Sequence, residues 1–415
     1  GTTLCKISIE DMVKNPPSTV VNSELSGTEQ VPREYQRGAV DAFVNFDPRE
    51  TSPFKVSLPA GAGKSLVLVL SLEAALNASE KQNPLAIVTA PSRELARQLV
   101  DTINMFDGVL LKATDDAKEF TSSESKFNTV CLTHSMFRNF HKHSSTEKMQ
   151  VAIEKLVFLG VDEAHHLDDE ENQLFRACQE VCHQADLKKY LCVSASFNSL
   201  DKINFSLSLA DAENQGVVSQ SRLYLVVCSD GDVLEATCDM IVRGLTTSVV
   251  DVHTPPIGIA TIVFWGTVKR ARMAAALLEE KLGVGVVAVV SGEDSQTYVE
   301  TVLREFKAGV VQVVCACQKF LEGVDIPNCD CVILGDTTES SKRLIQAFGR
   351  GNRPSKNKAM ANNIICASMK QLDTVKGVVT AIYEEDPRYK SKELKLQVRV
   401  GQSKSTITPP VAAEE

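Results

Sequence analysis

Residues 57–65 read "SLPAGAGKS" and lie between a short apolar run and a long one. This pattern predicts a β-strand, a tight turn and then an α-helix. Gly61 and Gly63 let backbone N–H groups turn toward phosphate oxygens, and the helix start at Lys64 adds partial positive charge. Lys64 would reach the outer phosphates and the hydroxyl of Ser65 would bind Mg²⁺, so the stretch predicts a nucleoside triphosphate site.

The phosphate-loop interpretation has one departure and one alternative. The strict pattern begins with glycine or alanine, and Leu58 stands at that position. The alternative is a glycine-rich turn that serves packing and carries a surface lysine. Because strand, turn, Lys-Ser pair and helix all agree, we favour phosphate binding. The predicted loop residues are Pro59, Ala60, Gly61, Ala62, Gly63, Lys64 and Ser65.

A second stretch, "LGVDEAHHL" at residues 159–167, ends an apolar strand with two carboxylates. Neighbouring side chains diverge at a strand end, so Asp162 and Glu163 can take different roles. We expect Asp162 to hold Mg²⁺ through water and Glu163 to deprotonate the attacking water. His165 is a candidate for coupling the nucleotide site to a second domain. The alternative is an exposed acidic loop, since residues 168–171 are also acidic.

Short apolar strands alternate with helical patterns along most of the 415 residues, and the alternation restarts after a polar stretch at 210–221. This predicts an α/β fold with two domains, each a parallel sheet covered by helices on both faces. We expect an arm at 1–27, domains at 28–215 and 216–386, and a loosely held tail at 387–415. Predicted strands lie at 54–58, 85–90, 129–133, 156–161, 190–194, 224–228, 261–265, 284–290, 311–316, 331–334 and 364–367.

The net charge of −9 excludes a uniformly basic surface, so contact with nucleic acid would use a local cleft. The 12 cysteines have no metal-ligand spacing and favour buried thiols. They predict a reducing intracellular compartment, without separating cytoplasm from nucleus. Since the longest apolar runs are too short to span a bilayer, we expect no membrane partner.

With both motifs placed, the chain resembles a superfamily 2 helicase or translocase over roughly residues 30–370. The sequences of these motifs are most like those of the branch that holds DEAH-containing restriction subunits and repair-type DNA helicases. DEAD-box RNA helicases carry aspartate where His165 stands. The other matching stretches, in order, are "PREYQRGAV" (32–40, glutamine motif), "APSRELARQ" (90–98, motif Ia), "SAS" (194–196, motif III), "IVFWGTVKRA" (262–271, motif IV), "LEGVDIPNCD" (321–330, motif V) and "QAFGRGNR" (346–353, motif VI).

The resemblance implies two tandem RecA-like domains with Mg²⁺ and ATP in the cleft between them. Arg350 and Arg353 would then act as arginine fingers beside the catalytic Lys64 and Glu163. The alternative for the two arginines is a polar helix end. The resemblance also assigns Gln36, Gly323 and Asp325 to the nucleotide, Ser65 and Asp162 to Mg²⁺, and Arg93, Ser194, Ser196 and Thr267 to a nucleic-acid strand. For Asp325 the alternative is a helix cap.

These assignments predict an ATP-dependent DNA helicase or translocase that couples Mg-ATP hydrolysis to movement on nucleic acid or to its unwinding. One alternative is an RNA helicase or RNA-stimulated ATPase. Another is a non-catalytic nucleic-acid-binding scaffold, against which the joint presence of the motif residues argues. Any nuclease or specificity partner would be on another chain.

Overall fold

The computed structural model describes residues 31–106, 111–122, 125–142, 147–167, 173–195, 197, 202–228, 232–246, 257–258, 260–317, 329–336, 347–349, 351, 360–385 and 397–401. They contain two parallel sheets of seven strands each. Both sheets belong to one compact unit that begins at Pro32. In the described ranges, no helix has the length and apolar character needed to cross a bilayer.

The first sheet has the strand order β3-β4-β2-β5-β6-β1-β7, and its paired strands are parallel. Alternate residues of β2 enter two different cores, since Ala86 and Val88 pack on one face and Ile87 on the other. Burial on both faces explains why these strands read as continuous apolar runs. The strands are β1 (Ser52–Ser57), β2 (Leu85–Ala90), β3 (Ala113–Thr114), β4 (Thr129–Thr133), β5 (Leu156–Asp162), β6 (Lys189–Ser194) and β7 (Phe205–Ser206).

Helices cover both faces of this sheet. Val67 and Leu72 of α2 and Leu99 of α3 pack on one face, and Phe137 of α5 and Cys178 of α7 pack on the other. The helices are α1 (Glu34–Val44), α2 (Lys64–Asn77), α3 (Arg93–Met105), α4 (Ala117–Phe120), α5 (His134–Lys142), α6 (Glu147–Glu154), α7 (Gln173–Gln184) and α8 (Leu209–Asn214), with a 3₁₀ turn at Ala164–Leu167.

The second sheet has the order β10-β11-β9-β12-β13-β8-β14 and is parallel as well. Its strands are β8 (Ser221–Cys228), β9 (Thr261–Trp265), β10 (Val287–Val290), β11 (Val313–Cys317), β12 (Cys331–Leu334), β13 (Ala361–Ser368) and β14 (Gln397–Gly401). Its helices are α9 (Val233–Thr246), α10 (Val268–Leu282), α11 (Gln296–Lys307) and α12 (Leu372–Glu385), with a 3₁₀ turn at Met369–Gln371.

The predicted fold class is confirmed. Four strands have the predicted bounds, seven differ from them by one to three residues at one or both ends, and β3, β7 and β14 were not predicted. β10 begins at Val287 instead of residue 284, because Gly283 and Gly285 have φ values of 104° and 85°, which a strand does not contain. Gln397–Gly401, predicted as tail, forms β14 and pairs with β8. Because the residues around it are polar, the sequence pattern does not predict this short edge strand. The predicted boundary at 215/216 lies in the connection between β7 and β8.

Candidate functional site

The turn between β1 and α2 is built by residues with unusual backbone geometry. Gly61 and Gly63 have φ values of 86° and 76°, in the left-handed region where residues with side chains are strained. Gly63 stands at the N-cap of α2. It has no side chain to satisfy the first N–H groups of the helix, which are therefore suited to an anionic ligand. The predicted strand, turn and helix are confirmed at this point.

Gln36 of α1 forms hydrogen bonds with this turn. Its Nε2 donates to the carbonyl oxygens of Ala62 and Gly63, at 3.3 Å each, and its Oε1 accepts from the N–H of Arg33 at 2.9 Å. The hydroxyl of Tyr35 donates to the Ala62 carbonyl at 2.5 Å. Gln36 therefore holds the loop through its amide nitrogen, while its amide oxygen is held by the start of α1. Its predicted role in reading adenine stays a prediction.

Asp162, the last residue of β5, has a buried carboxyl group. Burial raises the pKa of Asp162, and the neighbouring Glu163 carboxylate raises it further, while Lys64 opposes the rise. The N–H of Glu163 donates to Asp162 Oδ1 at 3.0 Å. The backbone carbonyl of Asp162 lies 3.1 Å from His134 Nε2, at the start of α5. The end of β5 is thus held by both side-chain and backbone contacts.

Glu163 joins the two motifs that the sequence identifies. Its Oε1 lies 3.6 Å from Lys64 Nζ, and its Oε2 lies 3.3 Å from His165 Nδ1. The Lys64 side chain is 12% exposed and that of Glu163 is 24% exposed, so both side chains are only partly accessible to solvent. The predicted phosphate-binding cation and the predicted base therefore lie next to each other.

His165 also contacts the end of β6, since its Nδ1 lies 3.2 Å from Ser194 Oγ. Ser194 is fully buried, and its predicted contact with a nucleic-acid strand stays a prediction. The hydroxyl turns inward to His165 and away from the surface. It connects motif III to Glu163 through one imidazole. Both of these contacts of His165 are with the first domain, and its predicted coupling to the second stays a prediction.

Five predicted site residues lie outside the described part of the chain: Ser196, Gly323, Asp325, Arg350 and Arg353. Gly349, directly before Arg350, is described and lies against the phosphate loop. A Cβ atom at Gly349 would overlap that of Ala60. The second half of the chain therefore reaches the phosphate loop through a glycine of motif VI.

Two predicted strand-contacting residues, Arg93 and Thr267, lie exposed at helix starts. α3 follows β2 and α10 follows β9, and these strands occupy the third position in their respective sheets. Both helices have hydroxyl caps: Ser92 Oγ accepts from the N–H of Leu95 at 3.3 Å, and Thr267 Oγ1 from that of Arg270 at 3.2 Å. Ser92 and Thr267 thus take equivalent N-cap positions in the two domains, and Arg93 directly follows the first of them.

Sequence reasoning missed a charged cluster beside Thr267. Arg270 Nε lies 2.8 Å from Asp336 Oδ1, and Asp336 Oδ2 accepts from the N–H of Gly266 at 2.7 Å. The Arg270 guanidinium lies 5.6 Å from the ring centre of the buried Trp265, a cation–π distance. The available signal was an acidic residue just after β12. The other residue missed is His134, one of several polar residues that follow β4.

Comparison with known proteins places these features in a family. Residues 33–203 match the DEAD/DEAH box helicase model, and residues 237–355 match the helicase conserved C-terminal domain. The putative ATP-dependent helicase IRC3 of Saccharomyces cerevisiae is 24% identical over 350 residues, covering 77% of this chain and 49% of the relative. The probable ATP-dependent RNA helicase DDX52 of Rattus norvegicus is 25% identical over 346 residues, covering 78% and 54%. The chain spans about half the length of these relatives.

Solved structures agree in fold. The ATP-dependent Type ISP restriction-modification enzyme LlaBIII bound to DNA has a TM-score of 0.67 at 15% identity, covering 92% of this chain and 32% of that one. S. cerevisiae Dbp5 bound to RNA and ADP BeF3 has a TM-score of 0.58 at 18% identity, covering 89% and 90%. From its motifs, its two sheets and its matched models, the chain carries the tandem RecA-like N- and C-terminal domains of a DEAD/DEAH box helicase of superfamily 2.

Proposed function

We propose that this chain hydrolyses ATP at the site between the β1–α2 turn and the end of β5, and uses the cycle to move along or separate nucleic-acid strands. The contact between Lys64 Nζ and Glu163 Oε1 at 3.6 Å carries the proposal. It brings a cation at the start of a helix next to the carboxylate of a partly exposed glutamate. Phosphoryl transfer to water needs both groups at one place.

Each residue then has a separate role. Lys64 and the N–H groups at the start of α2 bind the phosphates. Glu163 accepts the proton of the attacking water. Before a nucleotide binds, Lys64 forms an ion pair with the Glu163 carboxylate. Arg350 and Arg353 act as arginine fingers from the second domain. The position of Gly349 against Ala60 supports this arrangement, because Arg350 follows Gly349 directly.

Mg²⁺ fits the donor groups at this site. Asp162 and Ser65 supply a carboxylate and a hydroxyl, the oxygen ligands that this cation prefers. Mg²⁺ in phosphoryl-transfer sites typically takes only one or two carboxylates, with water and phosphate oxygens completing its shell. The raised pKa of Asp162 reflects a buried acid for which a nearby cation would favour the ionised form. When bound, Mg²⁺ would neutralise phosphate charge; Asp162 and Ser65 would hold it.

We propose RNA as the polymer, with DNA as the second candidate. Curated relatives such as DDX52 and RRP3 are named RNA or rRNA helicases, which supports RNA. The sequence Asp-Glu-Ala-His at 162–165 supports DNA, because the motifs of this chain resemble those of restriction subunits and repair-type DNA helicases. In either case backbone phosphates would supply most of the contacts, so binding should weaken with salt.

We also propose that a nuclease or specificity partner is on another chain, and that the protein works in a reducing intracellular compartment. In support of the compartment, ten of the eleven cysteines in the described ranges are buried thiols. Burial raises the pKa of several of these thiols, including Cys182 and Cys366, and so keeps them protonated and unreactive.

The test is ATP turnover with no polymer, with single-stranded RNA and with single-stranded DNA, each at two salt concentrations. We expect RNA to stimulate wild-type turnover most, with a smaller effect at high salt. Glu163→Gln should abolish turnover under all conditions, whereas Glu50→Gln, an exposed matched control, should leave it unchanged. Preferential stimulation by DNA would overturn the choice of polymer. Wild-type turnover by Glu163→Gln would overturn the assignment of the base.

A further inference from the structure

The peptide unit between Asp162 and Glu163 is held at both of its polar ends. Its N–H, from Glu163, donates to Asp162 Oδ1 at 3.0 Å. Its carbonyl oxygen, from Asp162, lies 3.1 Å from Nε2 of His134. Because a carbonyl oxygen only accepts hydrogen bonds, the His134 ring donates from Nε2. Rotation of this peptide would have to break both bonds.

The residue after this peptide has a strained backbone. Glu163 has a φ of 49°, in the left-handed region that side-chain-bearing residues seldom adopt. Such a conformation persists only where surrounding contacts enforce it. It directs the Glu163 carboxylate to its positions 3.6 Å from Lys64 Nζ and 3.3 Å from His165 Nδ1. The orientation of the carboxylate therefore depends on the orientation of the peptide before it.

The position of His134 is fixed at the start of α5, directly after β4, a strand that does not pair with β5. The sheet order β4-β2-β5 puts β2 between them, so the ring reaches across the end of β2. His134 is the first residue of α5 and follows β4 directly. Thr133 Oγ1 accepts from the N–H of Met136 at 3.1 Å and thereby fixes the first turn of the helix.

We propose that His134 is a positioning residue for the hydrolysis step: it fixes the peptide between Asp162 and Glu163 and thereby aims the Glu163 carboxylate. This inference rests on the proposed function, in which Glu163 is the base. His134 donates one hydrogen bond to the backbone and transfers no proton. Its loss lets the peptide rotate and Glu163 relax from its strained conformation, so the base spends less time in the reactive orientation.

A positioning role and a general stabilising role give different kinetics. Loss of one hydrogen bond that orients the base should lower kcat about tenfold and leave the KM for ATP unchanged. A stabilising role would lower the melting temperature and the active fraction, and would affect ADP binding and hydrolysis together. Gln at position 134 can still donate to a carbonyl, whereas Leu cannot.

The experiment compares full-length His134→Leu and His134→Gln with wild type at saturating RNA. The matched control is His141→Leu, on the same helix, whose ring bonds Glu180 of α7 at 2.6 Å. The measurements are kcat, the KM for ATP, the affinities for ADP and for ADP–aluminium fluoride, and the melting temperature. We expect His134→Leu to lower kcat about tenfold and weaken ADP–aluminium fluoride binding, with ADP affinity unchanged. His134→Gln should recover most of kcat, and His141→Leu should match wild type.

Unchanged kcat in His134→Leu, or parallel losses of ADP affinity and melting temperature, would overturn the inference. If His134→Leu does not fold, His134→Asn takes its place, because its shorter amide cannot reach the carbonyl. Glu163→Gln separates this inference from the proposed function. If Glu163→Gln still hydrolyses ATP, Glu163 is not the base and the proposed function is refuted. If Glu163→Gln is inactive but His134→Leu is fully active, only the role of His134 is refuted.

Discussion

Gly63→Ala tests how tightly the phosphate loop is built. The added Cβ would lie 2.5 Å from Gln36 Nε2, well inside van der Waals contact, and the residue would keep a φ of 76°. A left-handed alanine costs about 1 kcal/mol. Displacing Gln36 breaks its bonds to the carbonyls of Ala62 and Gly63, which adds about 1–2 kcal/mol. We expect the free energy of unfolding to fall by about 2–3 kcal/mol in total.

A matched control separates the two contributions. Gly309 has the same φ of 76° and open space where its Cβ would be, so Gly309→Ala measures the backbone cost alone. The assay is urea unfolding followed by circular dichroism, with denaturation midpoints compared at equal slopes. Gly63→Ala should be less stable than Gly309→Ala by about 1–2 kcal/mol. Equal losses in the two variants would refute the idea that Gln36 and the loop are tightly packed.

Three further variants each probe a contact inside one of the two domains. Lys189→Met should lower the free energy of unfolding by about 2–4 kcal/mol in urea denaturation, because Nζ donates to three carbonyls at the end of α1, at 2.6–2.8 Å; a change within error would contradict this. Asp336→Ala should cost about 1–3 kcal/mol in the same assay, since Gly266 N–H and Arg270 lose their shared acceptor, and Asp336→Asn should recover part of it. Ser194→Ala should lower ATP turnover yet leave RNA affinity in a fluorescence titration unchanged; a large loss of affinity would show that Ser194 contacts the strand after all.

Most of the fold could be predicted because its strands are buried on both faces. Continuous apolar runs give strands a clear signal, and β2, β4, β9 and β12 have the predicted bounds. The two-residue strands β3 and β7 are too short to show a period. β14 lies in a polar segment where pairing with β8, more than composition, decides the structure.

The candidate site was predictable where local sequence decides it. The turn before Lys64 and the acidic pair after β5 are set by neighbouring residues, and both ends meet at one edge of the sheet. Contacts between distant segments were not predictable. His134 is 28 residues from Asp162, and Arg270 is 66 residues from Asp336, so their pairing depends on strand order. A motif match likewise does not reveal that the Ser194 hydroxyl points inward to His165.

In the proposed function, one site binds ATP through Lys64 and hydrolyses it through Glu163. The most direct measurement is equilibrium ATP binding together with single-turnover hydrolysis in Lys64→Ala and Glu163→Gln. We predict that Lys64→Ala loses binding, and that Glu163→Gln binds ATP with near wild-type affinity but does not cleave it. Cleavage at the wild-type rate by either variant would contradict this account.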